Sequence, residues 1–451
     1  MKRLAVIDVV GLTSGLIEQH GDFLKRWSAQ REVSPFEPVF PAVTTTAQST
    51  YVTGQLPAQH GIVGNGWYDR SDAEHKFWKQ SNHLVEGEKL WTTLKRLNPD
   101  ATCAKLFWWY NMYSTADYTI TPRPMYPADG RKVFDIYTQP MGMREEIKAD
   151  LGEFPFFTFW GPKAGIGCSQ WIASSAKWVE QRHQPTLSLI YLPHLDYVLQ
   201  QEGPDGPSVA AEFQQIESVL EDLINSLEAS GVEVMLVSEY GISAVSQPVH
   251  LNRLFREQGW ITIKDELGKE QLDLGASRVF AIADHQVAHI YLNDPSLEPE
   301  VRALLESTPG VETVHDGAGE FGTGTAGDRA GDLITEASPE AWFTYYYWQD
   351  DTVAPDFARC IDIHRKCGYD PVELFMDPAL RLPPLKMAGF LLRKKLGFRT
   401  LLDIIPLDAT LVKGSHGRRH VPEHEQPIFI APTKVTSATE VHQRILEFLA
   451  P

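Results

Sequence analysis

The stretch PAVTTTAQSTYVTG at residues 41–54 and the stretch HGIVGNGWYD at residues 60–69 decide how this sequence is interpreted. Three consecutive threonines, Thr44–Thr46, stand where a loop is expected to turn into a helix. The backbone N–H groups at a helix start are free and favour an anion, so a hydroxyl there lies beside an anion site. Asn65 is flanked by glycines, which predicts a tight turn that presents one amide side chain. Each feature alone has a simpler interpretation, because Thr44 would cap a helix and Asn65 would hold a turn.

Taken together, the motifs resemble those of the alkaline phosphatase superfamily, and most closely its nucleotide pyrophosphatase/phosphodiesterase branch. That branch carries a nucleophilic Thr, a Val-Thr-Gly eight residues later, then His-Gly-Ile and an Asn that contacts the phosphoryl group. Here Val52-Thr53-Gly54 begins eight positions after Thr44, and His60-Gly61-Ile62 follows. The resemblance implies that Thr44 is the nucleophile and that Asn65 contacts phosphate. The residues after Thr44 depart from the family, where an aromatic-Pro-Asn run is usual.

The same resemblance implies metal ligands at positions that follow predicted strands. Asp8 ends an apolar run, and Asp196 ends another and precedes a Gly-Pro pair at the family's spacing. The sequence Ser-Glu-Tyr-Gly-Ile at residues 238–242 stands where the family has Ser-Asp-His-Gly-Met. Gly-Ser-His-Gly at residues 414–417 matches the family's Gly-Thr-His-Gly. The implied ligand set is Asp8, Asp196, Gln200, Glu239, Tyr240 and His416.

Two of these ligands differ from the family in their chemistry. Gln200 and Tyr240 replace imidazoles, and an amide or a phenol is a weaker ligand for zinc. His194, two positions before Asp196, is a possible substitute donor. The remaining set is rich in oxygen and suits a harder ion such as Mn or Mg. One or two divalent ions, Zn, Mn or Mg, are therefore expected.

Other candidate donors lie in the long segment before the Gly-Ser-His-Gly motif. Residues 359–366 alternate in polarity, which predicts a strand with Asp362 and His364 on one face. The polar run at residues 283–289 ends in His289 and leads into an apparent strand. Any of these side chains could replace the missing imidazoles. The alternative interpretation of each is the ordinary polar surface of an inserted lobe.

The alternation of strand and helix patterns predicts an α/β layered sheet. Short apolar runs at residues 4–10 and 232–237 are typical of buried strands, and helices are expected at about 14–28 and 208–229. The resemblance implies an alkaline-phosphatase-like three-layer α/β/α sandwich with a mostly parallel central sheet and an inserted cap subdomain. The expected organisation is a core of residues 1–243 and 405–451 with an excursion at about 116–168, and a cap or lid at 244–404.

Composition limits the partners and the location. A net charge of −18, from 41 basic and 59 acidic residues, argues against nucleic acid or an anionic membrane as a bulk partner. A phosphate-bearing small molecule is permitted, because metal ions can set the local field of a site. The four scattered cysteines do not form a disulfide framework, and no stretch reaches the roughly 18 apolar residues of a membrane span. A cytoplasmic location is expected, and the oligomeric state is left open.

If the resemblance extends to function, the chain is a metal-dependent hydrolase of phosphodiesterase, pyrophosphatase or phosphatase type. Thr44 would attack phosphorus and form a phosphothreonine-type intermediate, while Asn65 and the backbone N–H after Thr44 hold an oxygen. The alternative is a catalytically altered or inactive member, a pseudoenzyme that binds a ligand or a partner protein. A metal-free hydrolysis or a lyase reaction in the same pocket is a third hypothesis.

Overall fold

An eight-stranded sheet organises the chain in the computed structural model, which describes residues 2–398 and 400–450. From one edge to the other its strands are Glu32–Pro35, Ile428–Ala431, Val232–Val237, Arg3–Val9, Leu187–Leu192, Cys103–Leu106, Tyr118–Pro122 and Ile136–Gln139. The five consecutive strands from Val232–Val237 to Tyr118–Pro122 run parallel, and the outer pairings are antiparallel. The sheet is therefore mixed and mostly parallel.

Strand Arg3–Val9 lies in the middle of this sheet, and residues 4–9 are all buried. Such a strand is covered on both faces, which explains why its sequence is a continuous β-branched and apolar run rather than an alternating one. Its neighbours on both sides, Leu187–Leu192 and Val232–Val237, are parallel to it. The strands predicted at 4–10 and 232–237 are confirmed.

Helices on the faces of the sheet complete the layers. The helix predicted at about 208–229 is confirmed as Val209–Ala229, and it packs against Ile166–His183. Helix Thr44–Thr53 packs against the C-terminal helix Ala438–Leu449. The other α-helices are Ser14–His20, Phe23–Ser28, Pro57–His60, Leu90–Leu97, Met143–Leu151, His194–Glu202, Leu251–Glu257, Glu298–Glu306, Gly317–Phe321, Thr325–Arg329 and Pro383–Lys395. Short 3-10 turns occur at Asn82–Leu84, Phe156–Thr158, Pro295–Leu297, Pro371–Leu374, Ala409–Leu411 and Glu423–Glu425.

A second, antiparallel sheet lies within the segment expected to form a cap. Its strands in spatial order are Val279–Asp284, Val287–Leu292, Leu333–Ala337 and Val311–Asp316. The sheet has a buried apolar cluster of its own, which includes Val279, Ile290 and Leu333. Four two-stranded pairs accompany it: Gly66–Asp69 with Glu74–Phe77, Ile263–Glu266 with Lys269–Leu272, Gln247–Val249 with Ala341–Phe343, and Ser243–Ala244 with Gly414–Ser415. The predicted three-layer α/β/α fold with an inserted subdomain is confirmed, whereas its exact domain boundaries stay a prediction.

Two local predictions are wrong in detail. The helix expected at 14–28 is two helices, because the chain breaks at Gly21–Asp22 and the buried Glu217 carboxylate accepts the N–H groups of Asp22 and Leu24 (2.9 and 2.8 Å). The segment at 116–168, expected to be an excursion from the sheet, supplies strands Tyr118–Pro122 and Ile136–Gln139.

Among the described residues, no helix is long and apolar enough to cross a membrane.

The buried Lys105 predicts a pH dependence of stability. Its ammonium donates to the carbonyls of Trp109 and Tyr110 (2.7 and 2.8 Å), and burial lowers the pKa of Lys105 to about 7. Between this pKa and the ordinary value near 10.5, the unfolded chain binds the proton and the folded chain does not, so this group favours folding as pH rises. We therefore expect Lys105→Met to flatten the increase of unfolding free energy between pH 7 and pH 9, measured by urea denaturation. An unchanged slope would contradict the assignment.

Candidate active site

The carboxyl ends of three neighbouring parallel strands bring the predicted acidic residues together. Asp8 is the penultimate residue of Arg3–Val9, Asp196 follows Leu187–Leu192, and Glu239 follows Val232–Val237. All three carboxylates are buried. Ligand sites in open α/β sheets gather at this edge, so the sequence pattern and the topology point to the same place.

Thr44 is the first residue of helix Thr44–Thr53 and faces this edge. Its hydroxyl oxygen lies 3.1 Å from the hydroxyl oxygen of Tyr240. The N–H of Thr45 donates to Oδ1 of Asn65 (3.1 Å), which joins the two groups expected to hold a phosphoryl oxygen. The residues on either side of Thr44 are buried, and Thr46 is bonded to the backbone carbonyls of Pro41 and Val43. Within this threonine run, Thr44 is the one that contacts the predicted ligand Tyr240.

The carboxylates of Asp8 and Glu239 share one amide donor. Nε2 of Gln48 donates to Oδ2 of Asp8 (3.2 Å) and to Oε1 of Glu239 (2.7 Å), and Gln48 Oε1 accepts the N–H of Trp109. The second oxygen of each acid, Asp8 Oδ1 and Glu239 Oε2, has no hydrogen-bond partner among the described residues. Burial, and then the charge of Glu239, raises the pKa of Asp8 well above its usual range, and burial raises the pKa of Glu239. A cation or a proton between them would relieve this repulsion.

Asp196 has both oxygens engaged by the residues that replace the family's imidazoles. Gln200 Nε2 donates to Oδ2 (2.7 Å), and the Tyr240 hydroxyl donates to Oδ1 (3.3 Å). The hydroxyl of Tyr369 donates in turn to Gln200 Oε1 (3.0 Å). Burial raises the pKa of Asp196 to about 7. Asp196 is thus bonded to two neutral side chains, Gln200 and Tyr240, and Tyr369 bonds to the first of them.

Four buried rings form a column beside Asp196. The rings of Tyr240 and His416 stack with centroids 3.5 Å apart and an angle of 8°, His416 lies 3.7 Å from His285, and His285 lies 3.7 Å from Tyr369. Burial lowers the pKa of His285 and of His416 well below the usual value, so both imidazoles are neutral. Each Nδ1 is bonded to an oxygen, that of Asp284 (2.9 Å) or the carbonyl of Ala42 (2.7 Å), and each Nε2 is unpartnered among the described residues.

The pair Asp284–His285 lies in the polar run at residues 283–289, where the sequence analysis named His289 as the candidate rather than these two residues. His285 occupies the two-residue turn between Val279–Asp284 and Val287–Leu292 with φ of +62°, a position at which glycine is favoured. Asp284 also accepts the backbone N–H (2.8 Å) and Nδ2 (3.1 Å) of Asn65, which lies 219 residues away. A non-glycine residue held at positive φ in a buried site is a signal of function that the structure reveals and the sequence alone does not.

The structure does not bring the other candidate donors to the carboxylates. Residues 359–366 form turns rather than the predicted strand, so Asp362 and His364 share no strand face, and His364 Nδ1 lies 3.2 Å from the carbonyl of Phe77. His289 approaches the Asn65 loop, but its two ring nitrogens bond to the backbone of Val63 and Gly331. His194 Nε2 lies 2.8 Å from Glu212. The three histidines therefore have partners outside the carboxylate cluster.

The donor chemistry fits one divalent ion better than two. Among the described residues, no group of three or more His, Cys, Asp or Glu side chains is arranged to hold a metal ion. The oxygens of Asp8 and Glu239 that are unpartnered among the described residues are hard donors that suit Mg or Mn, and the Thr44 hydroxyl lies beside Glu239. At the second position of the family, Asp196 has no free oxygen and a phenol replaces an imidazole, so those residues do not fit an ion as they stand.

The comparisons with known proteins agree with the motifs. The profile of a family described as type I phosphodiesterase / nucleotide pyrophosphatase matches residues 4–370. An uncharacterised pyrophosphatase/phosphodiesterase of Schizosaccharomyces pombe is 25% identical over 251 residues, which are 53% of this chain and 44% of that protein. This chain therefore spans less than half the length of that curated relative.

Two solved structures resemble the whole chain. Murine ectonucleotide pyrophosphatase/phosphodiesterase 5 has a TM-score of 0.60 and 14% identity, with 99% of this chain and 95% of that chain covered. Phosphonoacetate hydrolase of Sinorhizobium meliloti, in complex with phosphonoformate, has a TM-score of 0.62 and 14% identity, with coverage of 100% and 96%. At this identity the likeness establishes the shared fold.

Proposed function

We propose that this chain, which belongs to the type I phosphodiesterase / nucleotide pyrophosphatase family, is a metal-dependent phosphoester hydrolase with Thr44 as its nucleophile. The observation that carries the proposal is the position of the Thr44 hydroxyl. It lies at a buried helix N-terminus beside Glu239, whose carboxylate shares the Gln48 amide with Asp8. One oxygen of each of these two acids is unpartnered among the described residues. The proposed substrates are small-molecule phosphodiesters, pyrophosphates or phosphomonoesters, and the proposed location is the cytoplasm.

The proposed reaction assigns a role to each group around Thr44. The Thr44 oxygen forms a bond to phosphorus, the bond from phosphorus to the leaving oxygen breaks, and water later hydrolyses the phosphothreonine-type intermediate. Asp8 and Glu239 would hold a divalent ion such as Mg or Mn, which when bound favours the Thr44 alkoxide. A non-bridging oxygen would replace Asn65 Oδ1 as the acceptor of the Thr45 N–H. Asn65 would donate to that oxygen through Nδ2, which in this structure donates to Asp284.

The second candidate function is a binding protein without turnover. The specific observation in its favour is the pairing of Tyr240 and Gln200 with both oxygens of Asp196. In that case the pocket keeps the fold of the family and recognises a ligand or a partner protein. The retention of Thr44, Asn65, Asp8 and His416 favours the enzyme over this alternative.

A metal measurement separates the two candidates. We expect elemental mass spectrometry of chelator-free protein to find about one equivalent of divalent metal. We expect Mn or Mg to support hydrolysis of bis-p-nitrophenyl phosphate better than Zn does. Asp8→Asn should weaken metal binding by more than about 10-fold in a calorimetric titration, because it removes one of two charged donors.

The matched control is Asp205→Asn, since Asp205 is an exposed acid whereas the three acids of the site are buried. It should bind metal as the wild type does. A folded wild type that binds no metal and shows no turnover with any of the three ions would contradict the hydrolase and support the binding protein.

A further inference from the structure

Helix Pro383–Lys395 carries an apolar face that points away from the protein. Leu385, Leu392 and Leu396 are 67%, 59% and 65% exposed. Their spacing of seven and four residues places them on one side of the helix. A helix on the surface of a soluble domain normally buries such a side, so this arrangement is the reverse of ordinary packing. We call the segment from Leu385 to Phe398 the basic helix.

The orientation of the basic helix is set by its other side. Lys386, Met387 and Phe390 are less exposed than the leucines, and Lys386 forms an ion pair with Asp403 (3.0 Å). The segment that carries the helix begins and ends at neighbouring points, because the N–H of Asp377, before the helix, donates to the carbonyl of Ile404, after it (2.8 Å). The leucines therefore face outward from a fixed point of attachment.

Cations flank the apolar face. At 100° per residue, Arg393 and Lys395 lie on opposite sides of the line of leucines, whereas Lys394 lies on the far side of the helix, 5.9 Å from the ring of Phe390. Within residues 2–398 and 400–450, none of these three cations forms an ion pair with a carboxylate. Two such cations beside exposed leucines, with a third on the same turn, are unusual in a chain with a net charge of −18.

We propose that the basic helix docks the protein on an anionic lipid surface. The leucines enter the boundary between headgroups and acyl chains, and the flanking cations extend along it to lipid phosphate or carboxylate groups. An anionic bilayer complements both the cations and the leucines of this surface, because its negatively charged headgroups lie above an apolar layer. A second copy of the chain would bring its own cations to the same face, and the like charges would repel. The proposal does not depend on the hydrolase activity.

This proposal corrects the expectation drawn from bulk charge. The acidic residues that give the chain its net charge are screened from the membrane beyond about 8–10 Å at physiological ionic strength. Only charges near the docked face act on the lipid, and there Arg393 and Lys395 flank the leucines. A strongly acidic protein can therefore bind an anionic surface through a local basic patch.

Vesicle sedimentation of the full chain tests the proposal. We expect binding to vesicles that contain phosphatidylserine, much weaker binding to pure phosphatidylcholine, and loss of binding at high salt. The double variant Arg393→Gln/Lys395→Gln should bind about 30-fold more weakly, from about 1 kcal/mol for each basic residue at such a surface. Leu392→Ser/Leu396→Ser should also weaken binding, at least 10-fold by its loss of apolar burial.

Matched controls are Lys264→Gln and Leu267→Ser, which change an exposed cation and a fully exposed leucine in another part of the chain. Both should bind vesicles as the wild type does. Equal binding to the two vesicle types, or wild-type binding by either basic-helix variant, would overturn the proposal. So would lipid-free self-association that Leu392→Ser/Leu396→Ser abolishes, since the occupant of the face would then be a second copy.

Discussion

Replacement of Thr44 by Ala is expected to lower kcat for bis-p-nitrophenyl phosphate by at least about 1,000-fold. In the proposed mechanism this hydroxyl forms the covalent intermediate, and neither Thr45 nor Thr46 is free to take its place. Thr45 bonds to the carbonyl of Gly64 and Thr46 to those of Pro41 and Val43, so each is committed to the backbone. Thr44→Ser keeps the nucleophilic oxygen and should retain a measurable fraction of the activity.

The control for this variant lies on the same helix. Thr53, nine residues after Thr44, has a buried hydroxyl that bonds to the carbonyl of Ser49 and the N–H of Gln55. Thr53→Ala removes this hydroxyl and should leave kcat unchanged. Mass spectrometry after acid quenching should find the phosphoryl adduct on the peptide that contains Thr44. Turnover by Thr44→Ala within 10-fold of the wild type would exclude the proposed nucleophile.

The parts of the site that follow from the sequence are those encoded by local motifs. Asp8, Asp196 and Glu239 lie at or within four residues of the ends of buried apolar runs, and a parallel sheet brings such strand ends to one edge. Thr44 and Asn65 belong to one contiguous stretch, so their proximity needs little tertiary information. The sheet was predictable for the same reason, since strand Val232–Val237 has the bounds that the sequence pattern predicts.

The parts that the sequence could not supply depend on contacts between distant segments. Asp284 reaches Asn65 across 219 residues, and Tyr369 reaches Gln200 across 169. A hydrophobic pattern predicts which face of a strand is buried. It does not predict which distant residue will contact the turn at the end of that strand. His285 adds a further obstacle, because a histidine at positive φ carries no turn signal of the Asn-Gly kind.

The alternation at 359–366 shows the opposite error, in which a pattern predicts a structure that packing forbids. The segment contains Lys366, whose ammonium is buried and pairs with Asp370 and Glu373 at 2.6 Å each. Glu373 also accepts the N–H of Asp362 (2.9 Å), which turns the chain away from an extended path. A buried charge that must meet two carboxylates determines the local backbone more strongly than β propensity does.

The same buried cluster carries the largest expected effect on stability. Lys366→Met leaves the carboxylates of Asp370 and Glu373 buried without their cation, which is expected to cost about 3–5 kcal/mol in the free energy of unfolding. Burial opposes the charge on Lys366, but Asp370 and Glu373 outweigh it and raise its pKa. The stabilisation by Lys366 is therefore complete below the ordinary lysine pKa and is lost as pH rises through the raised value. Urea denaturation at neutral pH should show the loss as a lower midpoint with an unchanged slope.

Two further variants decide whether the charge or the shape of Lys366 is responsible. Lys366→Met combined with Asp370→Asn and Glu373→Gln removes all three charges while keeping similar volumes, and should recover part of the lost stability. Lys264→Met breaks a half-exposed pair with Asp273 (3.5 Å) and should change the unfolding free energy by less than about 1 kcal/mol. If the triple variant is no more stable than Lys366→Met, the cost arises from lost packing around the lysine stem and not from unpaired charge.

Because Tyr369 lies next to Asp370 and bonds to Gln200, a large loss of stability in Lys366→Met should also disturb the contacts that hold Asp196.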